Sequence, residues 1–287
     1  MSTGYRRSRK HHAAKDVHQL HNSYHQIGKA VTKLVIPDLA GKVFLVTGAS
    51  TGIGAVVAIA LADQGAAVAV HYNASADPAR QVVDTIANSG GSAFLVGGDV
   101  TDYGVCGEIV QKAAEHFGKI DGVINNAGAM LGRIPIDQSD EEHDRRVIDL
   151  NAHSVVWVTR AALPHLRQSR GVVINTTSIS ARHGGGPGAI LYGAAKGFVS
   201  TITKGLAKEL VGDGIRVNAV APGVILTPFH ERDSTQEQMR QMVASIPMGR
   251  AGTAEECVGA YLFLASKALS GYITGQIIEV NGGQYMP

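Results

Sequence analysis

The stretch Thr47-Gly48-Ala49-Ser50-Thr51-Gly52-Ile53-Gly54 constrains this chain more than any other, because it joins a β-branched run to a run of small apolar residues. Residues 43–47 read as a strand and residues 53–64 as a helix. A chain turning this sharply from strand to helix needs glycine wherever a Cβ would block the reversal. The same turn leaves backbone N–H groups free at a helix start, where a pyrophosphate binds well. Strand, glycine turn and helix in that order predict a dinucleotide site, with Gly48, Ser50, Thr51, Gly52, Ile53 and Gly54 against the phosphates. A tight turn that binds nothing also uses glycine, so the motif needs its context.

That context is an alternation of short apolar runs with amphipathic stretches. Strand patterns recur at 67–72, 93–96, 122–125, 172–177, 215–220 and 276–280, with helical patterns between them. Seven strands alternating with helices predict an α/β protein, a Rossmann-type doubly wound parallel sheet covered on both faces. At 287 residues the chain suits a single domain of this class, spanning 35–287. The interval at about 227–252 is polar, contains methionine and follows a strand end, which predicts a lid.

Residues 1–34 differ from the rest. They hold seven Lys/Arg against Asp16, a net +6, which leaves −4 of the total +2 for the remainder. This basic stretch, with His11, His12, His18, His21 and His25, reads as an arm or tail; a transit peptide or an upstream start codon are the alternatives. The histidine spacing matches no ligand pattern, so no metal is expected. A mildly acidic body argues against nucleic acid, and no apolar run is long enough for a membrane span. Two distant cysteines, Cys106 and Cys257, suggest neither disulfide nor zinc, and point to the cytoplasm.

The second strand ends in His71-Tyr72-Asn73-Ala74-Ser75, without the carboxylate that would bind the ribose 2′-hydroxyl of NAD. NADP(H) is therefore favoured, with NAD(H) as the alternative, and Asn73 and Ser75 are the candidate contacts. Tyr192 and Lys196 lie four residues apart, on one face of a helix. A phenol of pKa ≈ 10 is a poor base near neutrality, and a neighbouring ammonium makes it a better one. Ser178 closes the strand upstream, where its hydroxyl can orient a carbonyl.

In this order the motifs resemble the short-chain dehydrogenase/reductase family over about residues 40–287. The turn at 47–54 looks like that family's cofactor turn, and Asp99-Val100 like its adenine-binding pair. Asn125-Asn126-Ala127-Gly128 resembles the element after the fourth strand, and Asp149-Leu150-Asn151 the segment bearing the catalytic asparagine. Ser178, Tyr192 and Lys196 match the remaining catalytic positions, and Pro222-Gly223 with Thr227 the nicotinamide side.

The resemblance implies a three-layer α/β/α sheet of strand order 3-2-1-4-5-6-7 and hydride exchange between nicotinamide and a carbonyl or alcohol. Tyr192 is then the acid/base, Ser178 the carbonyl partner, Lys196 the group that lowers the tyrosine pKa and binds ribose. Asn151 holds a relay water. Asn126, Ala127 and Gly128 contact cofactor, while Asn125 is read as satisfying its neighbours.

The loop 182–188 must pass beside the substrate, which makes His183 a candidate contact with Ser178 and Tyr192; His230-Glu231-Arg232 opens the lid. The C-terminal segment resembles 3-oxoacyl carrier-protein reductases, which implies a homotetramer. Those reductases commonly carry arginine where Trp157 stands, so a sugar or polyol dehydrogenase is the rival reading, and a catalytically silent nucleotide sensor the reading from another class. Gly193 and Gly197, each costing about 1 kcal/mol relative to Ala inside a helix, predict close packing of the catalytic helix against another element.

Overall fold

The run Val43–Val46 is buried along its whole length, as a strand must be when helices cover both faces of its sheet. The same holds for Gly122–Asn125 and Val172–Thr176. In the computed structural model, which describes residues 35–287, these are the first, fourth and fifth strands. The basic arm at 1–34 lies outside the described residues. In chain order the elements begin β1 (Val43–Val46), α1 (Gly52–Asp63), β2 (Ala67–Tyr72), α2 (Ala76–Asn88), β3 (Ser92–Gly97), α3 (Tyr103–Phe117) and β4 (Gly122–Asn125). There follow α4 (Glu141–Ile148), a π turn (Asp149–His153), α5 (Ser154–Ser169), β5 (Val172–Thr176), α6 (Ser180–His183), α7 (Ile190–Leu210) and β6 (Arg216–Pro222). The chain ends with β7 (Ile225–Leu226), α8 (Pro228–Asp233), α9 (Gln236–Ala244), β8 (Gly252–Thr253), α10 (Ala254–Ala265), α11 (Lys267–Ser270) and β9 (Ile277–Val280).

The main sheet has the order β3-β2-β1-β4-β5-β6-β9, every pair parallel. This is the expected seven-strand, doubly wound architecture. Its order reverses between β1 and β4, so their carboxyl ends open a crevice where ligands bind in such sheets. Alternate strand residues feed two cores. Phe44, Val46, Val70 and Ile124 pack with Val57 and Leu61 of α1 and Tyr261 of α10. Leu45, Ala69, Val123 and Val217 pack with Ile109, Val158 and Leu210 of α3, α5 and α7 on the opposite face.

One element has no counterpart in the sequence reading. β7 and β8 form a two-residue parallel ladder, Ile225↔Gly252 and Leu226↔Thr253. It closes the root of the 227–252 insertion, so α8 and α9 project from a fixed base. Helix α9 starts on a capping box: Thr235 Oγ1 accepts from Gln238 N at 3.2 Å and Gln238 Oε1 accepts from Thr235 N at 2.8 Å.

The expected close packing of α7 is found at Gly193 alone. A Cβ there would lie 2.7 Å from the Gly184 carbonyl, while at Gly197 nothing described lies within 4 Å. Gly193 seats α7 against the end of α6 in the same chain, and so carries no argument for a subunit contact.

Gly122 shows how tightly β1 and β4 are fitted, since a Cβ there would stand 2.3 Å from the buried Phe44 ring. Gly122→Ala should lower the free energy of unfolding by about 1–3 kcal/mol through overpacking. Urea unfolding followed by circular dichroism measures it, and an unchanged midpoint would contradict the fit described.

Candidate active site

The turn after β1 is shaped by what stands opposite it. Gly48 and Gly52 have φ of +62° and +58°. A Cβ on Gly48 would meet Ala127 Cα at 2.8 Å, and one on Gly54 would lie 2.3 Å from the Gly48 carbonyl oxygen. Thr47 Oγ1 accepts from the backbone N–H groups of Asn126 and Ala127, both at 3.0 Å. Asn126 Nδ2 donates back to the carbonyls of Thr47 and Gly48 at 3.1 and 3.0 Å. The backbone N–H groups of Ser50, Thr51, Gly52 and Ile53 have no acceptor among the described residues. They stand free at the start of α1, as an anion cradle requires.

A buried histidine completes the brace. His71 Nδ1 accepts from Gly48 N at 3.1 Å, so Nε2 carries the proton and donates to the Gly98 carbonyl at 3.0 Å. Burial holds its pKa below the usual histidine value, and the ring stays neutral. The signal for this residue was present: a histidine inside an otherwise apolar strand must find partners.

The cradle opens into one cavity of about 610 Å³. Gly48, Ser50, Thr51, Gly52 and Ile53 line it, with Asn73, Ser75, Val100, Asn126, Ala127 and Gly128. Ser178, His183, Tyr192, Lys196, Pro222, Gly223 and Thr227 line it as well, so residues scattered over 180 positions meet around a single space.

Three expected contacts do not. Gly54 serves packing, as its missing Cβ shows. Asp99 turns to its own loop, accepting from Thr101 N at 3.0 Å and Thr101 Oγ1 at 2.8 Å. Asn151 is fully buried, and its amide is committed elsewhere. Its Oδ1 accepts from Ala129 N at 3.1 Å, and its Nδ2 donates to the carbonyls of Ala129 and Val147 at 2.8 and 2.9 Å. The side chain therefore pins the segment after β4 to the π turn. Asn126 lines the cavity, yet both its amide N–H bonds go to the turn. Asn125 is wholly internal, donating to Thr159 Oγ1 and Asn175 Oδ1 at 3.0 and 2.9 Å.

At the other end, α7 presents Tyr192 and Lys196 one turn apart, 9 and 3% exposed. Ser178 faces the Tyr192 hydroxyl, and a hydrogen bond between the two pulls the phenol pKa down. Burial pushes the phenol up to about 12, against the pull of that bond. Lys196 Nζ donates to the Thr176 carbonyl at 2.9 Å and stands 5.7 Å from the Tyr192 ring centre. Burial pushes the ammonium down to about 8.

A family profile described as Enoyl-(Acyl carrier protein) reductase matches residues 48–284. The 3-oxoacyl-acyl-carrier-protein reductase FabG of Staphylococcus aureus is 39% identical over 243 residues, 84% of this chain and 97% of that protein. Among solved structures, a short-chain type dehydrogenase/reductase from Mycobacterium marinum superposes with TM-score 0.82 at 36% identity, covering 88% of this chain and 98% of that one. The NADH-dependent reductase A1-R′, responsible for alginate metabolism and also solved with NAD, gives TM-score 0.81 at 40% identity, covering 88% and 100%. This chain belongs to the short-chain dehydrogenase/reductase family. It is accordingly a nicotinamide-dependent oxidoreductase.

Around the short-chain dehydrogenase/reductase motifs stand residues that no motif flags. Arg133, Phe229, Gln238, Gln241 and Gln284 all line the cavity. They sit on loops and on helices α8 and α9, where a sequence pattern for substrate contact does not exist. Gly128 is more telling, for a Cβ on it would lie 2.8 Å from Asn151 Oδ1 and 3.1 Å from Lys196 Nζ. Gly128→Ala should displace the ammonium and lower turnover by roughly 10²-fold, the scale for an ångström of misplacement. Steady-state kinetics beside an unfolding curve checks this, and normal turnover in the folded variant would refute the crowding.

Proposed function

We propose that this short-chain dehydrogenase/reductase reduces the carbonyl group of a small polar substrate with NADPH and carries out the reverse oxidation with NADP⁺. The observation that carries the reading is the Ser178–Tyr192 hydroxyl pair, held beside Lys196 in the same cavity as the free N–H cradle. The cradle fits a pyrophosphate, because unpaired donors and bare glycine Cα positions face it. Asn73 and Ser75 line the distal end, where Asp99 bonds to Asn73 from outside the wall, and among the described residues no Asp or Glu lines the cavity itself.

When bound, the dinucleotide supplies or accepts the hydride. Tyr192 gives its hydroxyl proton to the carbonyl oxygen while the carbonyl carbon gains the hydride, so the substrate becomes an alcohol and the nicotinamide is oxidised. Ser178 donates a hydrogen bond to the same oxygen. Lys196 stabilises the phenolate that remains and offers its other N–H bonds to ribose hydroxyls; the proton returns from solvent. Asn151 acts as a positioning residue through Ala129.

A sugar- or polyol-like substrate is supported by the amides of Gln238, Gln241 and Gln284 along the cavity and by the likeness to a reductase of alginate metabolism. A 3-oxoacyl thioester is the second reading, favoured by the identity to FabG. Against it, Trp157 packs on Tyr103 and His153, with ring centres 6.0 and 5.4 Å apart, where those reductases carry arginine. Both cysteines are free and buried, which supports the cytoplasm. No helix among the described residues is long and apolar enough to cross a membrane.

Tyr192→Phe should keep cofactor affinity and lose about 10²- to 10⁴-fold in turnover, and calorimetry on the unaltered protein should show NADPH binding more tightly than NADH. Retained turnover refutes the acid/base assignment, and an NADH preference refutes the cofactor assignment. Reduction uses the phenol and the ammonium, so its rate should fall as pH rises through about 8, where Lys196 loses its proton. Oxidation starts from the form that has lost a proton and should rise over the same range. Equal slopes in both directions would overturn the mechanism.

A further inference from the structure

Among the described residues, the charged side chains on the cavity wall are the cations Lys196, Arg133 and Arg232, and no carboxylate lines it. Lys196 belongs to the reacting centre and Arg232 is exposed at the rim. Arg133 is different, being half-buried and held in place. Its Nε donates to the Asp233 carbonyl at 2.7 Å and its Nη1 to the Pro187 carbonyl at 3.3 Å. The Asp233 side chain accepts from Gly132 N at 3.2 Å; its charge acts on the guanidinium from nearby, without a direct ion pair or side-chain hydrogen bond to it. Arg133 thus keeps its charge, and its remaining N–H bonds have no acceptor among the described residues.

The guanidinium lines the same cavity as the Ser178 and Tyr192 hydroxyls. The Phe229 ring stands 5.4 Å from the Tyr192 ring and 5.2 Å from His230, whose titration is depressed by burial and then by Arg133. Gln284 also lines the cavity: it donates from Nε2 to Ser245 Oγ at 2.8 Å, while its Oε1 is buried without a donor among the described residues. A buried acceptor left open costs about 1–3 kcal/mol, which a ligand hydroxyl can recover.

We infer that the site takes a hydroxylated oxo acid, whose carbonyl oxygen rests on Ser178 and Tyr192, whose carboxylate rests on Arg133 and whose hydroxyl donates to Gln284. This rests on the carbonyl-reductase reading above and adds the charge of the substrate to it. A planar guanidinium with two carbonyls fixing its orientation is suited to a carboxylate, which it meets with parallel N–H bonds. A neutral sugar or an acyl chain would leave the free N–H donors of Arg133 without a charged partner in the cavity.

The probes are 5-oxogluconate and its neutral amide, titrated calorimetrically into the enzyme–NADP⁺ complex and assayed separately for NADPH oxidation. The acid should bind about 10- to 100-fold more tightly than the amide, the scale of a charged hydrogen bond. Arg133→Gln should bring that ratio close to one, and Arg133→Lys should keep part of it, since charge remains while the planar fork is lost. The ratio cancels any general loosening of the loop, and retained NADP⁺ binding certifies the fold of each variant. A ratio near one in the unaltered protein, a ratio that survives Arg133→Gln, or no binding of either compound overturns the proposal. If both compounds are reduced equally well, hydride transfer stands and the carboxylate site falls. If the ratio appears without any turnover, the carboxylate site stands and the carbonyl-reductase reading falls.

Discussion

Thr47 Oγ1 accepts the backbone N–H groups of Asn126 and Ala127, and on that contact the geometry of the whole site depends. It draws the end of β4 onto the turn after β1, so close that Gly48 and Ala127 leave no space for a Cβ between them. Two residues on, Ala129 is gripped from the other side by the Asn151 amide. The four residues from Asn126 to Ala129 are thus held at both ends. Gly128, caught between, presents its bare Cα to Lys196. One segment therefore sets the depth of the cofactor turn and the position of the ammonium together, and neither can shift without the other.

Burial pushes Tyr192 and Lys196 the same way, towards their uncharged forms. A phenol raised to about 12 donates a proton reluctantly until something stabilises the anion it becomes. An ammonium lowered to about 8 is still mostly charged near neutrality and, among the described residues, has no carboxylate to hold it, only the Thr176 carbonyl. Its charge is consequently available to the phenolate. An acidic neighbour would have raised the lysine pKa and screened the tyrosine, weakening the effect the pair depends on. The neutral tautomer of His71 fits the same economy: it receives the Gly48 N–H without adding charge beneath the cradle.

The architecture was legible because it follows from period and punctuation. Fully apolar strands, glycine turns and small-residue helices each reflect a local steric requirement, and seven strands in the observed order need little else. Tyr192 and Lys196 could be placed on one helix face from their spacing, but their meeting with Ser178 was legible through the family resemblance, because a glycine-rich loop separates the two segments. Asn151 shows the limit. Its place in the fold could be read, but the direction of its amide depends on Ala129, twenty-two positions away and brought near only by folding. Asp99 is similar, because the adjacent Thr101 takes one of its carboxylate oxygens and turns it from the cavity wall. Arg133 was invisible for a different reason: a lone arginine after a strand has no periodic partner, and its meaning comes from Pro187 and Asp233, which reach it from two other segments.

Those segments form the substrate wall, and each is fastened by another. Arg133 ties the segment after β4 to the loop before α7 and to the end of α8. Arg182, at α6, pairs with Glu279 of β9 at 2.9 Å and lies over the Tyr285 ring, 5.6 Å from its centre. Asn281 Nδ2 donates to the Tyr285 carbonyl at 3.0 Å, and Gln284 reaches Ser245 beyond α9. The wall is a closed circuit of polar contacts built on loops, whereas the sheet beneath it is held by apolar packing. Such a circuit tolerates exchange of the groups that face the cavity, provided the fastening bonds remain. Arg133 does both tasks with different atoms, Nε and one Nη1 hydrogen for the circuit and the rest for the cavity. The charge of the site is thereby set by a residue that the wall already needs for its shape.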